Sequence, residues 1–382
     1  MVKKIILTVF ILCSALIAQE LPVNEVQVNI NGYFDNFGVN ILYPTVSVNK
    51  QISERTSVNA RYLVDVISAA SMKTVFRVDG VSSATQNPHG GADSKPDEMR
   101  HEFGGGITHL LGDILISLNG IYSTEHDYTS KTMAANLSIP FAKKNTVLSL
   151  GVVRSWDLVS PQTRFWEKEK NVVSLNAGLS QILGKGWITQ LNMFYSRNEG
   201  FLSDAYQVVS FINRDRVVYY SPNYPDNRDR RAVGLRSSYS IDSKSSVQLG
   251  YRYYWDTWDV KSHTFNALYQ RHLSEMVTIT VGARFYNQTK AYFFKETYSV
   301  PEELMAVDAK LNASTSQEIE LKVNLKGEAL SDLPFLKNFF SQQTDLSASL
   351  NFYIRQTPSP DWFSRRKTLY AYILSVGYRY RF

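Results

Sequence analysis

The chain has 382 residues, long enough for one large domain, and its 41 basic and 35 acidic residues give a formal net charge of +6. This charge is too small and too dispersed to indicate a nucleic-acid-binding protein. One cysteine, Cys13, excludes a disulfide framework within the chain.

Residues 1–19 have the pattern of a signal peptide. Lys3 and Lys4 precede an apolar run from Ile5 to Ala18, which is too short for a helix that spans a bilayer. A lipid anchor on Cys13 is the alternative, although Leu12 precedes it where a small residue is expected. Cleavage would leave an exported domain, residues 20–382, without cysteine and with a net charge of +4 (6 − 2).

Alternation of apolar and polar residues predicts strands over most of the remaining chain. In Ser57–Ser68, for example, Val58, Tyr62 and Val66 fall on one face, and Arg61 and Asp65 on the other. The predicted strands are 27–34, 39–49, 57–68, 100–111, 114–123, 130–141, 146–156, 171–183, 187–196, 232–241, 246–256, 263–273, 277–288, one within 305–325, 346–355 and 368–382.

Short and long connections alternate between these strands. Turns of two to four residues are predicted near 53, 112, 142, 184, 242 and 274, whereas the longest loops cover 71–99 and 200–228, the latter with room for a short hairpin. Short turns on one side and long loops on the other are typical of transmembrane barrels. We therefore expect an all-β, antiparallel, up-and-down transmembrane barrel of about 16 strands, with 14 as the alternative.

The last strand, Thr368–Phe382, has seven large apolar residues on one face and ends on an aromatic residue. The alternative is an edge strand of a soluble sandwich. An unprotected edge strand with such an apolar face would aggregate. Its end resembles the C-terminal assembly signal of bacterial outer-membrane barrels, carried here by Tyr378, Tyr380 and Phe382. The expected partners are therefore outer-membrane lipid and the barrel assembly machinery.

A Gly-x-Arg triplet recurs four times, and strand alternation points its glycine and arginine inward. The triplets are Gly234-Leu-Arg236, Gly250-Tyr-Arg252, Gly282-Ala-Arg284 and Gly377-Tyr-Arg379. Either the arginines line a pore that favours anions, or they belong to an interior network of ion pairs. The full set of candidate pore-lining residues is Arg61, Asp65, Arg236, Arg252, Asp256, Arg284 and Arg379.

A second candidate site lies in the loops. Glu125, Asp127, Tyr128, Trp258 and His263 are expected, with Asp256, to form one cluster, either a constriction or a structural network at the rim. The tripeptides Ser262-His263-Thr264 and Glu125-His126-Asp127 do not by themselves establish a catalytic group with an oriented base. We predict no enzyme activity, no cofactor and no metal site.

Several segments together resemble a family of uncharacterised bacterial outer-membrane proteins, a domain-of-unknown-function family. The segments are 65–71, 123–130, 200–206, 225–230, 251–264, 284–288 and 292–294, of which 251–264 is the most specific. Ala205 and Phe294 depart from the residues expected there. The resemblance implies an outer-membrane barrel, and because members accompany flavin-attachment and thioredoxin-like proteins, it also implies a periplasmic redox partner.

Taken together, these features favour a porin-like channel in the bacterial outer membrane for small hydrophilic or anionic solutes. One alternative is a structural or docking component of an envelope redox system. The other alternative is a barrel hydrolase.

Overall fold

A computed structural model describes residues 21–69, 98–162, 164–213, 216–331, 334, 338–361 and 364–382. The predicted signal peptide, residues 1–19, and most of the predicted loop 71–99 lie outside the described residues. The described chain contains no helix with the length and apolarity needed to cross a bilayer.

Sixteen antiparallel strands form a closed barrel, which β1 and β18 complete by pairing with each other. The barrel strands are β1 (Glu25–Asp35), β2 (Val39–Ser53), β3 (Thr56–Ala69), β4 (Glu98–Leu111), β5 (Ile114–Thr124), β6 (Tyr128–Phe141), β7 (Thr146–Val159), β8 (Lys168–Gly184), β9 (Trp187–Gly200), β12 (Asn227–Ser240), β13 (Ser245–Asp256), β14 (Lys261–His272), β15 (Val277–Gln288), β16 (Ser314–Lys326), β17 (Thr344–Gln356) and β18 (Thr368–Arg381). The predicted fold class and the count of sixteen are confirmed.

The two ends of the barrel differ in their connections. At one end, here called the turn end, lie the short turns and the connection 327–343 with the short helix α1 (Glu328–Ser331); Glu25 and Arg381 pair there. Gly112 and Gly186 supply the positive φ angles, +62° and +73°, that two of these tight turns need. The opposite end, called the loop end, carries the three longest connections, which follow β3, β9 and β15, together with several shorter ones.

Side chains alternate between the two surfaces of the barrel, as the sequence predicts. On β18, Tyr372 and Val376 face outward and are 53% and 49% exposed, whereas Ala371 faces inward and is fully buried. Paired residues keep this alternation around the wall, so the outside is apolar over the middle of the barrel. A closed barrel leaves no unpaired edge strand, so nearly all of the described backbone in the wall has a hydrogen-bonding neighbour.

Several strands extend further toward the loop end than predicted. β8 begins at Lys168. β9 ends at Gly200 and β12 begins at Asn227, so the predicted loop 200–228 shortens to 201–226. The added residues are polar on both faces, and apolar alternation therefore did not reveal them, although their backbones continue the hydrogen-bond ladder. Within this loop, β10 (Val209–Asn213) and β11 (Arg216–Tyr220) form the expected hairpin as a separate sheet.

Pro44 interrupts the wall locally. Pairing between β2 and β3 passes from Leu42–Val66 to Thr45–Leu63, without partners at Tyr43 and Pro44. Proline has no N–H to contribute to the ladder. The Asn31 side chain donates a hydrogen bond to the Tyr43 carbonyl at 3.1 Å beside this gap.

Candidate functional site

The inner wall formed by β3 and β4 carries paired charges. Arg61 pairs with Glu102, and Asp65 pairs with Arg100, which also reaches Glu125 at 3.3 Å. Two of the candidate pore-lining residues, Arg61 and Asp65, thus face inward but are bound to partners on the neighbouring strand.

The same pattern continues along the wall at the loop end. Lys170 lies 3.0 Å from Asp157 and donates a hydrogen bond to the Tyr128 hydroxyl at 3.1 Å. Tyr128 and Ser130 both donate to the Asp157 carboxylate. From β3 to β8, the lumen wall is therefore largely neutralised by its own ion pairs.

The opposite wall, β12 to β15, is rich in arginine. The Arg252 guanidinium lies over the rings of Phe194 and Tyr254, 5.9 and 5.7 Å from their centroids. Arg230 donates a hydrogen bond to the Tyr254 hydroxyl at 3.1 Å. Within the described part of the chain, no carboxylate lies at ion-pairing distance from Arg230 or Arg252, so this wall retains positive charge.

The Gly-x-Arg triplets of β12 and β13 interlock. Gly234 is paired with Arg252, and Arg236 with Gly250, so each arginine lies across from a residue without a side chain. This register leaves room for two inward-facing guanidinium groups on adjacent strands. On β15, Arg284 lies across from Glu318 and forms a long ion pair of 3.9 Å with it.

Two other candidate pore-lining residues are held in networks. Asp256 is completely buried as a side chain and accepts hydrogen bonds from Arg228 at 2.5 and 2.9 Å, from Tyr254 at 2.5 Å, and from two backbone N–H groups. Arg379, at the turn end, lies 3.5 Å from Glu25 and 3.8 Å from Asp345. Asp256 therefore orders the turn that follows β13 and does not face an open lumen.

Two loops, residues 201–226 and 289–313, fold together at the loop end and are called the lid here. Tyr224, Phe293 and Ala306 of the lid pack with Trp258 against inward-facing Ala232 and Tyr254 of the wall. Backbone hydrogen bonds of 2.8 and 3.0 Å join Asn223 and Met305, one from each loop. The lid is thus a packed structure attached to the arginine-rich wall.

The lid also reaches other parts of the rim. Tyr206 donates a hydrogen bond to Asp127, which lies between β5 and β6. Asn312 donates to Ser359, which lies between β17 and β18, at 2.7 Å. These contacts place the lid across the mouth of the barrel.

Two acidic side chains of the lid, those of Asp204 and Asp308, interact electrostatically. Burial, and then the negative charge of Asp308, raise the pKa of the Asp204 carboxyl above its usual value. Burial and the charges of Asp308 and Asp204 also raise the pKa of Tyr224 well above its usual value. The Asp204 carboxylate nevertheless has a structural role, because it accepts hydrogen bonds from the backbone N–H groups of Tyr206 and Gln207 at 2.8 and 3.0 Å.

The residues expected to form one loop cluster lie in three places. Glu125, Asp127 and Tyr128 lie together near the β3–β8 wall. Trp258 is in the lid core instead, and its ring centroid lies 4.2 Å from the Arg228 guanidinium. His263 faces outward and bonds the Tyr251 hydroxyl at 2.8 Å. Ser262, its neighbour, is buried on the opposite face of β14, so strand alternation separates the serine and histidine considered for a hydrolase.

Sequence reasoning missed Arg100, Lys170, Arg230 and Tyr206. Alternation alone predicts that Arg230 faces inward, because Arg230, Ala232 and Gly234 are alternate residues of one strand and share a face. Nothing local indicated that Tyr206 would meet Asp127. In the described ranges, no group of three or more histidine, cysteine or acidic side chains is arranged to hold a metal ion.

The aromatic residues at the C-terminus face outward at the turn end. Tyr380 and Phe382 stack with ring centroids 6.3 Å apart, and Lys50 lies 4.8 Å from the Phe382 centroid. Tyr378 donates a hydrogen bond to the Phe339 carbonyl at 2.7 Å. All three residues of the expected assembly signal thus lie on one side of β18.

A family model described as "Protein of unknown function (DUF3570)" matches residues 15–360. A search of curated proteins found no match. Among solved structures, a bacterial polysaccharide outer membrane secretin has a TM-score of 0.53 at 8% identity, with 94% of this chain and 99% of that chain covered.

Two further solved structures are less similar in shape. OmpT, an outer membrane protein of Vibrio cholerae, has a TM-score of 0.44 at 8% identity, with 94% of this chain and 96% of that chain covered. The siderophore receptor PirA from Pseudomonas aeruginosa has a TM-score of 0.44 at 10% identity, and this chain covers 62% of its length.

Proposed function

This chain belongs to the DUF3570 family of proteins of unknown function, and we propose that it is a bacterial outer-membrane channel for small anionic solutes. The observation that carries the proposal is the arginine-rich wall, where Arg230 and Arg252 face tyrosine and phenylalanine rings instead of carboxylates. Such guanidinium groups keep their charge and most of their donors available to a passing anion.

The outer surface supports the location in a membrane. Its strands present leucine, valine and phenylalanine side chains that are about half exposed, such as Leu118, Phe265 and Leu350. Trp187 lies at the turn end, and Trp156 and Trp255 lie toward the loop end, where tryptophan favours the interface between hydrocarbon and water. The C-terminal residues Tyr378, Tyr380 and Phe382 are proposed to recruit the barrel assembly machinery.

The lid supports a limit on solute size. A barrel of 16 strands is wide enough for an aqueous channel, but residues 201–226 and 289–313 fold across its mouth and attach to the rim at Asp127 and Ser359. Solutes would pass through the part of the mouth that the lid does not cover, which restricts passage to small molecules.

Reversal potentials in planar bilayers test this function. We expect the wild-type protein to conduct and to prefer chloride over potassium in a salt gradient. Replacement of Arg230 and Arg252 by Gln should reduce that preference severalfold, because a unit charge about 4 Å from an ion contributes about 1 kcal/mol in water. Absence of conductance, or an unchanged reversal potential in the double variant, would overturn the proposal.

A matched control removes the same charge outside the lumen. Lys185 and Lys244 lie in exposed turns at the turn end, and their replacement by Gln should leave the selectivity close to that of the wild type. If the control variant shifts the reversal potential as much as the lumen variant, the arginine-rich wall is not the source of selectivity.

A second candidate, docking of a periplasmic redox protein, is favoured by one observation at the turn end. Phe339 in the connection between β16 and β17 is 67% exposed. Docking would be favoured over transport by two results together. The wild-type barrel captures a periplasmic thioredoxin-like protein and Phe339→Ser does not, and the wild-type barrel does not conduct.

A further inference from the structure

Charged residues are distributed unevenly on the outside of the barrel. Nine consecutive strands, β15 to β18 and β1 to β5, form one sector. Among the side chains described there, Lys50 near the turn end is the only outward-facing charged one. An apolar surface of this kind is expected wherever a barrel contacts lipid.

The remaining sector, β6 to β14, differs at the loop end. It carries five outward-facing cations near the ends of their strands, which we call the outer basic band: Lys131, Arg154, Arg197, Arg231 and Lys261. Three outward-facing acids, Glu169, Glu199 and Asp229, lie in the same sector. The band therefore has an excess of two positive charges (5 − 3) on one side of the barrel.

Within this sector, two arginines are attached nearer the middle of the barrel than the acids they pair with. Arg197 pairs with Glu199 at 2.7 Å, and Arg231 lies 3.7 Å from Asp229. β9 runs toward the loop end and β12 runs away from it, so on both strands the arginine is two residues nearer the middle of the barrel. Two residues correspond to about 6.6 Å of backbone along a strand, so each arginine is attached nearer the middle of the barrel, although its charge meets that of the acid.

Aromatic rings share the level of these arginines. The Arg154 guanidinium lies 5.4 Å from the Trp156 centroid, and that of Arg231 lies 5.8 Å from the Tyr195 centroid. Tryptophan and tyrosine mark the boundary between hydrocarbon and polar head groups. The Arg197 side chain is nevertheless 54% exposed, and that of Arg231 is 40% exposed.

We propose that the outer basic band binds the phosphate groups of phosphorylated glycolipids in the outer leaflet of the membrane. Arginine and lysine at this depth can reach phosphate oxygens, and guanidinium groups bind them in a bidentate manner. Glu199 and Asp229 hold Arg197 and Arg231 in ion pairs. Within the described residues, no ion pair involves Lys131, Arg154 or Lys261, whose charges are available to a phosphate group. The inference rests on the membrane location proposed above and is independent of conduction.

Native mass spectrometry of the full barrel tests this inference. The protein is titrated in neutral detergent with lipid A that carries both phosphates, or with dephosphorylated lipid A. We expect the phosphorylated form to bind more tightly. Replacement of all five residues of the outer basic band by Gln should reduce its affinity at least tenfold, because each cation near an anionic lipid surface contributes about fivefold.

The matched control removes five exposed cations at the turn end by the substitutions Arg55→Gln, Lys143→Gln, Lys144→Gln, Lys185→Gln and Lys244→Gln. We expect the control to bind phosphorylated lipid A as the wild type does, and gel mobility before and after heating verifies that both variants are folded. Three outcomes would overturn the proposal. The two lipid forms bind equally well, the band variant and the control lose the same affinity, or the barrel self-associates so that the band is covered. Fractionation of cells tests the membrane location separately.

Discussion

The Tyr206 hydroxyl donates a hydrogen bond to the Asp127 carboxylate, although the two residues are 79 positions apart in the chain. Tyr206 belongs to the lid and Asp127 to the loop between β5 and β6, and both are buried. This bond joins the lid to a rim segment far from the wall that the lid packs against.

Removal of this hydroxyl should loosen the lid. In Tyr206→Phe, a buried carboxylate loses a donor at a cost of about 1–3 kcal/mol. We expect faster proteolytic cleavage within residues 201–226 and a larger mean single-channel conductance. Tyr220→Phe is the control, because Tyr220 lies in the same loop, is 42% exposed and packs against Phe211 through its ring. Identical behaviour of the two variants would contradict a role for the Tyr206–Asp127 bond.

The stability of the lid should depend on the charge of Asp204. Its pKa is raised in the folded lid above the ordinary value of 3.8, so the folded lid binds the proton more tightly than an unfolded loop does. Its contribution to lid stability therefore increases as the pH falls through the raised pKa and levels off below about 4.

Asp204→Asn tests this dependence, because asparagine keeps a side-chain oxygen for the backbone N–H groups of Tyr206 and Gln207. We expect higher hydrogen-exchange protection of the lid at neutral pH, and a weaker dependence of protection on pH than in the wild type. A variant that retains the full pH dependence would assign it to other carboxylates.

Asp256 should be among the residues on which stability depends most. Asp256→Ala removes acceptors for Arg228, Tyr254 and two backbone N–H groups, and leaves the Arg228 charge without its partner. Breaking a buried pair in this way costs about 3–5 kcal/mol. We expect a clearly lower midpoint of thermal unfolding in detergent, followed by tryptophan fluorescence. Glu199→Ala breaks an exposed ion pair and should have little effect; similar midpoints for the two variants would contradict this assignment.

The C-terminal aromatic residue should affect assembly more than stability. Phe382 is 46% exposed on the outside of the barrel, so its replacement by Ala removes few packing contacts. We expect less folded protein in the membrane, measured by heat-dependent gel mobility, but a similar unfolding midpoint for the protein that assembles. Phe34→Ala, an outward-facing change on β1 at the loop end, serves as the control. An equal assembly yield for both variants would show that Phe382 carries no specific signal.

Much of the barrel followed from local patterns. Alternation in Ser57–Ser68 and Thr368–Phe382 identified the outward faces, and short turns with glycine, such as those at Gly112 and Gly186, marked where adjacent strands meet. The inward orientation of Arg236 and Arg252 also followed. Alternation by itself did not reveal that each of these arginines faces the glycine of the other triplet, because that depends on the register between strands.

His263 illustrates a limit of inference from position along the chain. It lies five residues after Trp258, and both were expected to join one cluster, yet one faces the outside and the other the lid core. A turn separates them. Beyond a turn, the face to which each side chain points depends on which residue begins the next strand. The start of β14 at Lys261 decides the orientation of His263.

What the sequence alone determined is the barrel: a period-two pattern sorts side chains between lipid and lumen, and backbone hydrogen bonding then requires closure. The lid and its partners were decided only by the tertiary structure. Contacts such as Tyr206–Asp127 and Asn312–Ser359 connect loops whose positions exist only after sixteen strands have closed. Closure brings their side chains within hydrogen-bonding distance, and no local pattern encodes that proximity.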